Sequence, residues 1–237
     1  MIKLNEYEIY LHIGINLFEI SVFSNLDLKN LYNEKLVVNN SQNNIDIVKL
    51  IDFLDKNIFK IEKTLNFFIE SINVIFEDKN FLEINLSSKH YCDKKIINKN
   101  DKLILLNNLK NDIIKNYSDL SIIHFLIIKY LIDNNEADFF INEVACEFFC
   151  LDVKFICFNK KSFSNIENIL KKNYQITLNK IISQSYINNF MKDNNYKLNT
   201  CELAFKISRG LNQNEVFIEA KSIEKLGFFE RFFHIFN

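Results

Sequence analysis

The chain has 237 residues, 48% of them hydrophobic and 25% charged, with a net charge of −1. That is enough apolar material for one large domain or two small ones with a real core. The near-neutral balance excludes bulk electrostatic attraction to nucleic acid or to an anionic bilayer. Usage is skewed, with 24 Phe, 3 Gly and neither Pro nor Trp. Codons of an AT-rich genome produce such a skew, so Asn-rich runs such as Asn39–Asn44 carry no functional message. Scarce Gly does, because phosphate-binding loops use it for close backbone approach.

Tyr7–Ile13 alternates Tyr7, Ile9, Leu11 and Ile13 against Glu8, Tyr10 and His12, which is a strand period. Gly14-Ile15-Asn16 can turn the chain into a second strand, Leu17–Ser24, and Leu36–Val38 reads as a third. Ile45–Ile69 has helical spacing, with Ile47, Leu50, Ile51, Leu54, Ile58, Ile61 and Leu65 on one stripe. Ser71–Phe76 and Phe81–Leu86 read as strands. Asp101–Tyr117 reads as a helix capped by Asp101. Ile122–Ile132 and Phe148–Phe158 read as strands, Ser162–Asn173 as a helix capped by Ser162, and Gln175–Ile182 as a strand. Lys192–Asn199 is polar and reads as a linker. Thr200–Leu211 follows as a short helix, with Thr200 as cap and Gly210 near its end.

The five cysteines, Cys92, Cys146, Cys150, Cys157 and Cys201, form no regular framework and read as reduced, buried thiols. No CxxC or nearby His pair completes a zinc set. His12, His90, His124 and His234 lack metal-ligand spacing. A nucleophile pair of Cys157 with His124 is conceivable, but a packed His is the better reading. Lys94, Lys95, Lys99 and Lys102 read as a solvated patch, with too few interleaved aromatics for nucleic acid. Met1–Glu6 lacks the apolar stretch of a signal peptide, and no run approaches the ~20 apolar residues of a membrane span.

The C-terminal segment Gly227–Asn237 reads as an amphipathic helix. At about 100° per residue, Ile235, Phe228, Phe232, Phe236, Phe229 and Phe233 fall on one half of the cylinder. Glu230, His234 and Arg231 fall on the other. Burying each large apolar side chain contributes roughly 1.5–3 kcal/mol, less when insertion is partial. A helix this short is marginal in water and folds best on a surface. The membrane-binding set is Phe228, Phe229, Arg231, Phe232, Phe233, Ile235 and Phe236, anchored more by Phe than by charge.

The order of these elements resembles the FtsA family, actin-like bacterial division proteins that tether FtsZ filaments to the inner membrane. Tyr10-Leu11-His12-Ile13-Gly14 is similar to that family's first strand and phosphate-loop turn. Ile72–His90, ending Leu86-Ser87-Ser88-Lys89-His90, resembles the strand before its inserted module. Ile123–Asp133 resembles a further family strand, without its Pro. Val153–Phe158, Asn165-Ile166 and Tyr174–Ile182 resemble the elements leaving the insert.

The resemblance covers residues 7–187. It implies an α/β fold, the first half of an actin-like fold with an inserted strand-helix-strand module and a C-terminal amphipathic helix. The implied boundaries are 1–88 with 161–187 for the actin-like subdomain and 89–160 for the interaction module. Residues 188–222 would be a linker with a short helix, and 223–237 the membrane-targeting helix. His12 stands where the family has Asp, Gly14 survives, and Asn16 departs from the family's loop chemistry. The loop His12, Gly14, Asn16 is therefore expected to be vestigial, with no ATP, no cofactor and no metal.

The expected function is a non-catalytic adaptor on the cytoplasmic side of the inner membrane. It would contact other division proteins, or copies of itself, through the module, and no nucleic acid. The family's FtsZ docking site lies in the absent half, which weighs against direct FtsZ contact. Two other readings stay open: an actin-like ATPase completed by a partner chain, and a soluble interaction module with the tail packed internally.

Overall fold

The computed structural model describes residues 6–39, 44–77, 81–137 and 139–216. The membrane-tail reading, Gly227–Asn237 with Phe228, Phe229, Arg231, Phe232, Phe233, Ile235 and Phe236, lies outside the described residues.

The chain opens with β1 (Tyr7–Ile13), β2 (Leu17–Ser24) and β3 (Asn30–Val37), an antiparallel meander. β3 is longer than the three residues expected, because Asn30, Asn33, Glu34 and Lys35 break up its apolar pattern and hide the strand. Helix α1 (Ile47–Leu65) begins at Asp46, whose side chain accepts from the Lys49 N–H, and ends at Asn66 in the left-handed region. Its buried stripe is Leu50, Phe53, Leu54, Ile58 and Ile61. β4 (Ser71–Phe76) follows.

The module comprises β5 (Leu82–Tyr91), β6 (Ile96–Ile97), α2 (Lys99–Asn116), β7 (Leu120–Ile132), β8 (Asn135–Ala137), β9 (Val144–Ala145) and β10 (Phe148–Asn159). The N-cap of α2 is Asn98, not Asp101. Asp101 reaches back to the Asn98 N–H while Asn98 accepts from Asp101, a reciprocal capping box. Because β5 pairs with β10 along its length, Leu82–Ser88 belongs to the module's sheet. The module thus begins earlier than residue 89.

Then come α3 (Ser164–Tyr174), β11 (Thr177–Ser183), α4 (Gln184–Asp193) and α5 (Thr200–Ser208). Ser162 does not cap α3; Phe163 precedes it without a side-chain cap. Asn199, rather than Thr200, caps α5 by accepting from the Glu202 N–H. The stretch expected as a linker with a short helix, 188–222, holds the end of α4 and all of α5 packed on the core. Ile187, Cys201, Leu203, Ala204, Phe205 and Ile207 are buried. The pattern Tyr186, Ile187, Phe190, Met191 has helical spacing, but Asn188 and Asn189 between them and Lys192 and Asp193 after them mask it.

The first sheet has the order β11-β4-β1-β2-β3, with β1 parallel to β4 and β4 parallel to β11. Both faces are covered. Ile9, Leu11 and Ile13 pack with the α1 stripe, while Tyr10, Phe23 and Ile75 pack with Cys201, Phe205 and Ile187. The two parities of β1 therefore each need a layer, and α4 with α5 supplies the second one. The module's sheet, β5-β10-β7-β8, buries one face with Leu105, Leu106, Leu109 and Ile113 of α2. A five-stranded sheet in which β2 alone runs against the rest, with a module inserted between β4 and β11, is the first half of an actin-like fold. Among the described residues no helix is long and apolar enough to cross a membrane.

Candidate functional site

The parallel pairing of β1 with β4 sets Ile13 beside Phe76, so both strands end at the same edge. Crevices at the carboxyl ends of such strands are where α/β folds bind ligands. The loop His12–Asn16 lies there. The Gly14 N–H donates to Leu17 O (2.9 Å), the Val38 N–H donates to Asn16 O (2.8 Å), and the Glu77 N–H donates to Ile13 O (3.1 Å).

Glu77, the residue after β4, turns its carboxylate into this loop. Its Oε2 accepts from the Ile15 N–H at 2.7 Å. A Cβ on Gly14 would stand 2.9 Å from the same oxygen, 3.1 Å from Leu17 O and 3.4 Å from His12 Nε2. A carboxylate thus holds the loop amide that an incoming anion would seek, and brings negative charge with it.

His12 sits beneath. It pairs across the strands with Glu19, which is buried and accepts from Asn33 Nδ2 (2.7 Å) near Lys35 Nζ (3.4 Å). Neither ring nitrogen of His12 has a hydrogen-bond partner among the described residues, nor does Gln184 Oε1. Burial holds the imidazole below its ordinary 6.5, against weaker opposing effects of Gln184, Glu19 and Glu77. Glu77 was not legible in the sequence as a loop residue. Its one signal is an acidic residue directly after an apolar strand.

A second polar cluster joins the two sheets. His124 on β7 is buried; its Nδ1 lies 2.7 Å from Glu215 Oε1, and its Nε2 accepts from the Ser183 N–H (3.0 Å). These partners assign the Nδ1–H tautomer. Glu215 Oε2 accepts from the Tyr186 hydroxyl (2.7 Å), which in turn accepts from Asn212 Nδ2 (2.8 Å). His124 and Tyr186 rings stand 4.2 Å apart. The module, the five-stranded sheet and the C-terminal segment meet at this one histidine.

His124 and Cys157 are not brought together as a nucleophile pair. Both ring nitrogens are engaged elsewhere, Cys157 faces Ile122 across the ladder, and burial pushes its thiol up to about 11. The five thiols are free and buried. Cys146 and Cys150 do not share a helix; they flank the start of β10, and burial with the Cys92 thiol pushes Cys146 up to about 12. The lysine patch is only partly solvated. Lys94 pairs with Glu147, while Lys102 Nζ lies 5.1 Å from the Phe140 ring centroid and is lowered by burial.

No family model matches the chain, and no curated protein sequence matches it. Three solved structures match it at low similarity. The cytoplasmic domain of EpsL, an inner membrane component of the type II secretion system of Vibrio cholerae, is 8% identical, with a TM-score of 0.37, over 76% of this chain and 58% of that one. A protein of unknown function with an actin-like ATPase fold from Bacteroides thetaiotaomicron is 15% identical, with a TM-score of 0.31, over 81% and 60%. A chain of the PilM-PilN type IV pilus biogenesis complex is 5% identical, with a TM-score of 0.41, over 79% and 50%. This chain thus spans 50% to 60% of the length of these solved chains. By strand order and by the place of its inserted module, it has one half of an actin-like fold.

Proposed function

We propose that this chain is a non-catalytic, FtsA-like adaptor of cell division. It sits on the cytoplasmic face of the inner membrane through Phe228, Phe229, Phe232, Phe233, Ile235 and Phe236. Its module contacts other division proteins or further copies of itself. The observation that carries this reading is the Glu77 carboxylate at the Ile15 amide, 2.7 Å away, in the loop where a phosphate would have to sit. A carboxylate there repels phosphate and leaves the loop without its anion-binding amide.

Two measurements test the two halves of the reading. Calorimetry of the full chain with Mg-ATP is expected to give no heat of binding; measurable binding overturns the non-catalytic half. Sedimentation with liposomes is expected to pellet the protein, and Phe232→Glu/Phe233→Glu to leave it in the supernatant. Equal partition of the two proteins overturns the membrane half. A tagged copy is expected at the division site, and a uniform distribution removes the division role.

A further inference from the structure

The module's sheet ends on one side at β8, which has three residues, and on the other at β5, which has ten. None of the ten residues of β5 is buried, and among the described residues no strand pairs with its outer edge. Shortness, a Pro or a bulge keeps an edge from recruiting another strand. β5 has none of these: it contains no Pro and pairs with β10 in unbroken register from Leu82 to Tyr91.

The ladder fixes which main-chain groups face outwards. The Cys92 N–H donates to Glu147 O at 2.8 Å, one step beyond the pair Tyr91 and Phe148. In an antiparallel strand, residues bonded to one neighbour alternate with residues whose groups point the other way. Glu83, Asn85, Ser87, Lys89 and Tyr91 therefore turn their N–H and C=O groups to the open edge. Their side chains share one exposed face, while Ile84 and Leu86 pack on the module's core. Glu83 and Lys89 stand at equal distances along the strand on either side of Leu86. Lys154 takes Glu83 Oε2 at 2.9 Å. Lys89 Nζ lies 3.5 Å from the Phe148 ring centroid, with no carboxylate partner among the described residues.

We infer that two copies of this chain join edge to edge, β5 against β5, antiparallel about a two-fold axis at Leu86. Two edges can bond only where both turn their groups outwards, so odd-numbered positions must face odd-numbered ones. With the axis at Leu86, Asn85 meets Ser87 of the second copy and Glu83 meets its Lys89, each contact occurring twice. On the other face Leu86 meets its own counterpart and Ile84 meets Ser88. Moving the axis to Asn85 or Ser87, the nearest registers of the same parity, takes Glu83 away from Lys89. Charge complementarity thus selects both the occupant and the register. The two four-stranded sheets become one continuous sheet. The contact is a single pair of strand edges, so it is small and the dimer dissociates on dilution. The inference rests on the reading that the module contacts further copies of the chain, and it is independent of division and of membrane binding.

Sedimentation velocity of the full chain without lipid, over a range of concentrations, is expected to show a monomer–dimer equilibrium. Glu83→Lys and Lys89→Glu are each expected to weaken it about tenfold or more, since like charges then face each other twice. Mixed together, the two variants are expected to form a heterodimer as tight as the wild-type dimer, because opposite charges meet again at both places. A variant that merely misfolds could not recover in this way. Under mild oxidation Leu86→Cys is expected to give a covalent dimer. Leu82→Cys, whose counterpart lies at the far end of the paired strands, is expected to stay uncrosslinked, as is the wild type with its five buried thiols. A chain that is monomeric at every concentration overturns the inference and leaves the module's contact with other proteins standing. A dimer that neither charge reversal weakens nor Leu86→Cys cross-links also overturns it, in favour of self-contact through another surface.

Discussion

Replacing Glu215 by Ala tests whether the C-terminal segment is clamped to the body of the fold. The side chains of His124 and Glu215 are only 4% and 9% exposed. The carboxylate accepts from His124 Nδ1 and from the Tyr186 hydroxyl, both at 2.7 Å. Its removal strands two donors, each at a cost of about 1–3 kcal/mol when water does not replace the partner. Since Glu215 borders the surface, some water will enter, and a net loss of about 2–4 kcal/mol is expected. Glu215→Gln keeps one acceptor and turns an amide donor towards the other partner, so its loss should be smaller. The assay is urea unfolding followed by far-UV circular dichroism, since the chain has no Trp. In a double-mutant cycle with His124→Ala, a coupling of about 1–2 kcal/mol is expected. A loss below about 0.5 kcal/mol for Glu215→Ala, with additive effects in the cycle, would refute the clamp.

Phe205→Ala should cost about 3–5 kcal/mol, because its ring is buried and stacks on Phe23 at 4.5 Å; a linker helix would show almost no change in urea midpoint. Gly14→Ala should cost about 1–3 kcal/mol through its clash with Leu17 O and Glu77. Glu77→Ala in the same chain should recover part of that, and thermal melts of the single and double variants check it. His12, held below 6.5 in the folded state, leaves the unfolded chain binding the extra proton. Its contribution is therefore complete above pH 6.5 and is lost as pH falls from there to the lowered folded value. Urea midpoints at a series of pH values should show this decline, and His12→Asn should flatten it.

The N-terminal hairpin was legible because β1 has a strand period and Gly14 offers a turn into the apolar run of β2, and α1 because its stripe repeats over five turns. Helix α5 was legible as Thr200–Leu211, but α4 and the burial of both helices were obscured for two reasons. Asn188, Asn189 and Lys192 fill the outward face of α4, and nothing local says that Tyr10, Phe23 and Ile75 await a second layer. Cap positions slipped by one to three residues because Asn98 and Asp101, or Asn199 and Thr200, are all cap formers, and geometry alone chooses between them. The loop at His12, Gly14 and Asn16 could be placed from its resemblance. Its closing by Glu77 could not, because that contact depends on β1 and β4 pairing across 62 residues of sequence. Glu215 meets His124 across 91 residues, with no local signal at either position.

The ladder between β5 and β10 sets Leu82 beside Cys157, so the two ends of the inserted module emerge as neighbours. This bears on how the chain folds. β4 and β11 are adjacent and parallel, yet the whole module lies between Phe76 and Thr177. Closing so long a loop from an open chain carries an entropy cost that grows with the logarithm of its length. If the module condenses first, that closure is already made, and β11 reaches β4 as though across a short connection. The module is then a detachable folding unit. A chain in which residues 83–156 give way to a short turn is expected to keep its five-stranded sheet.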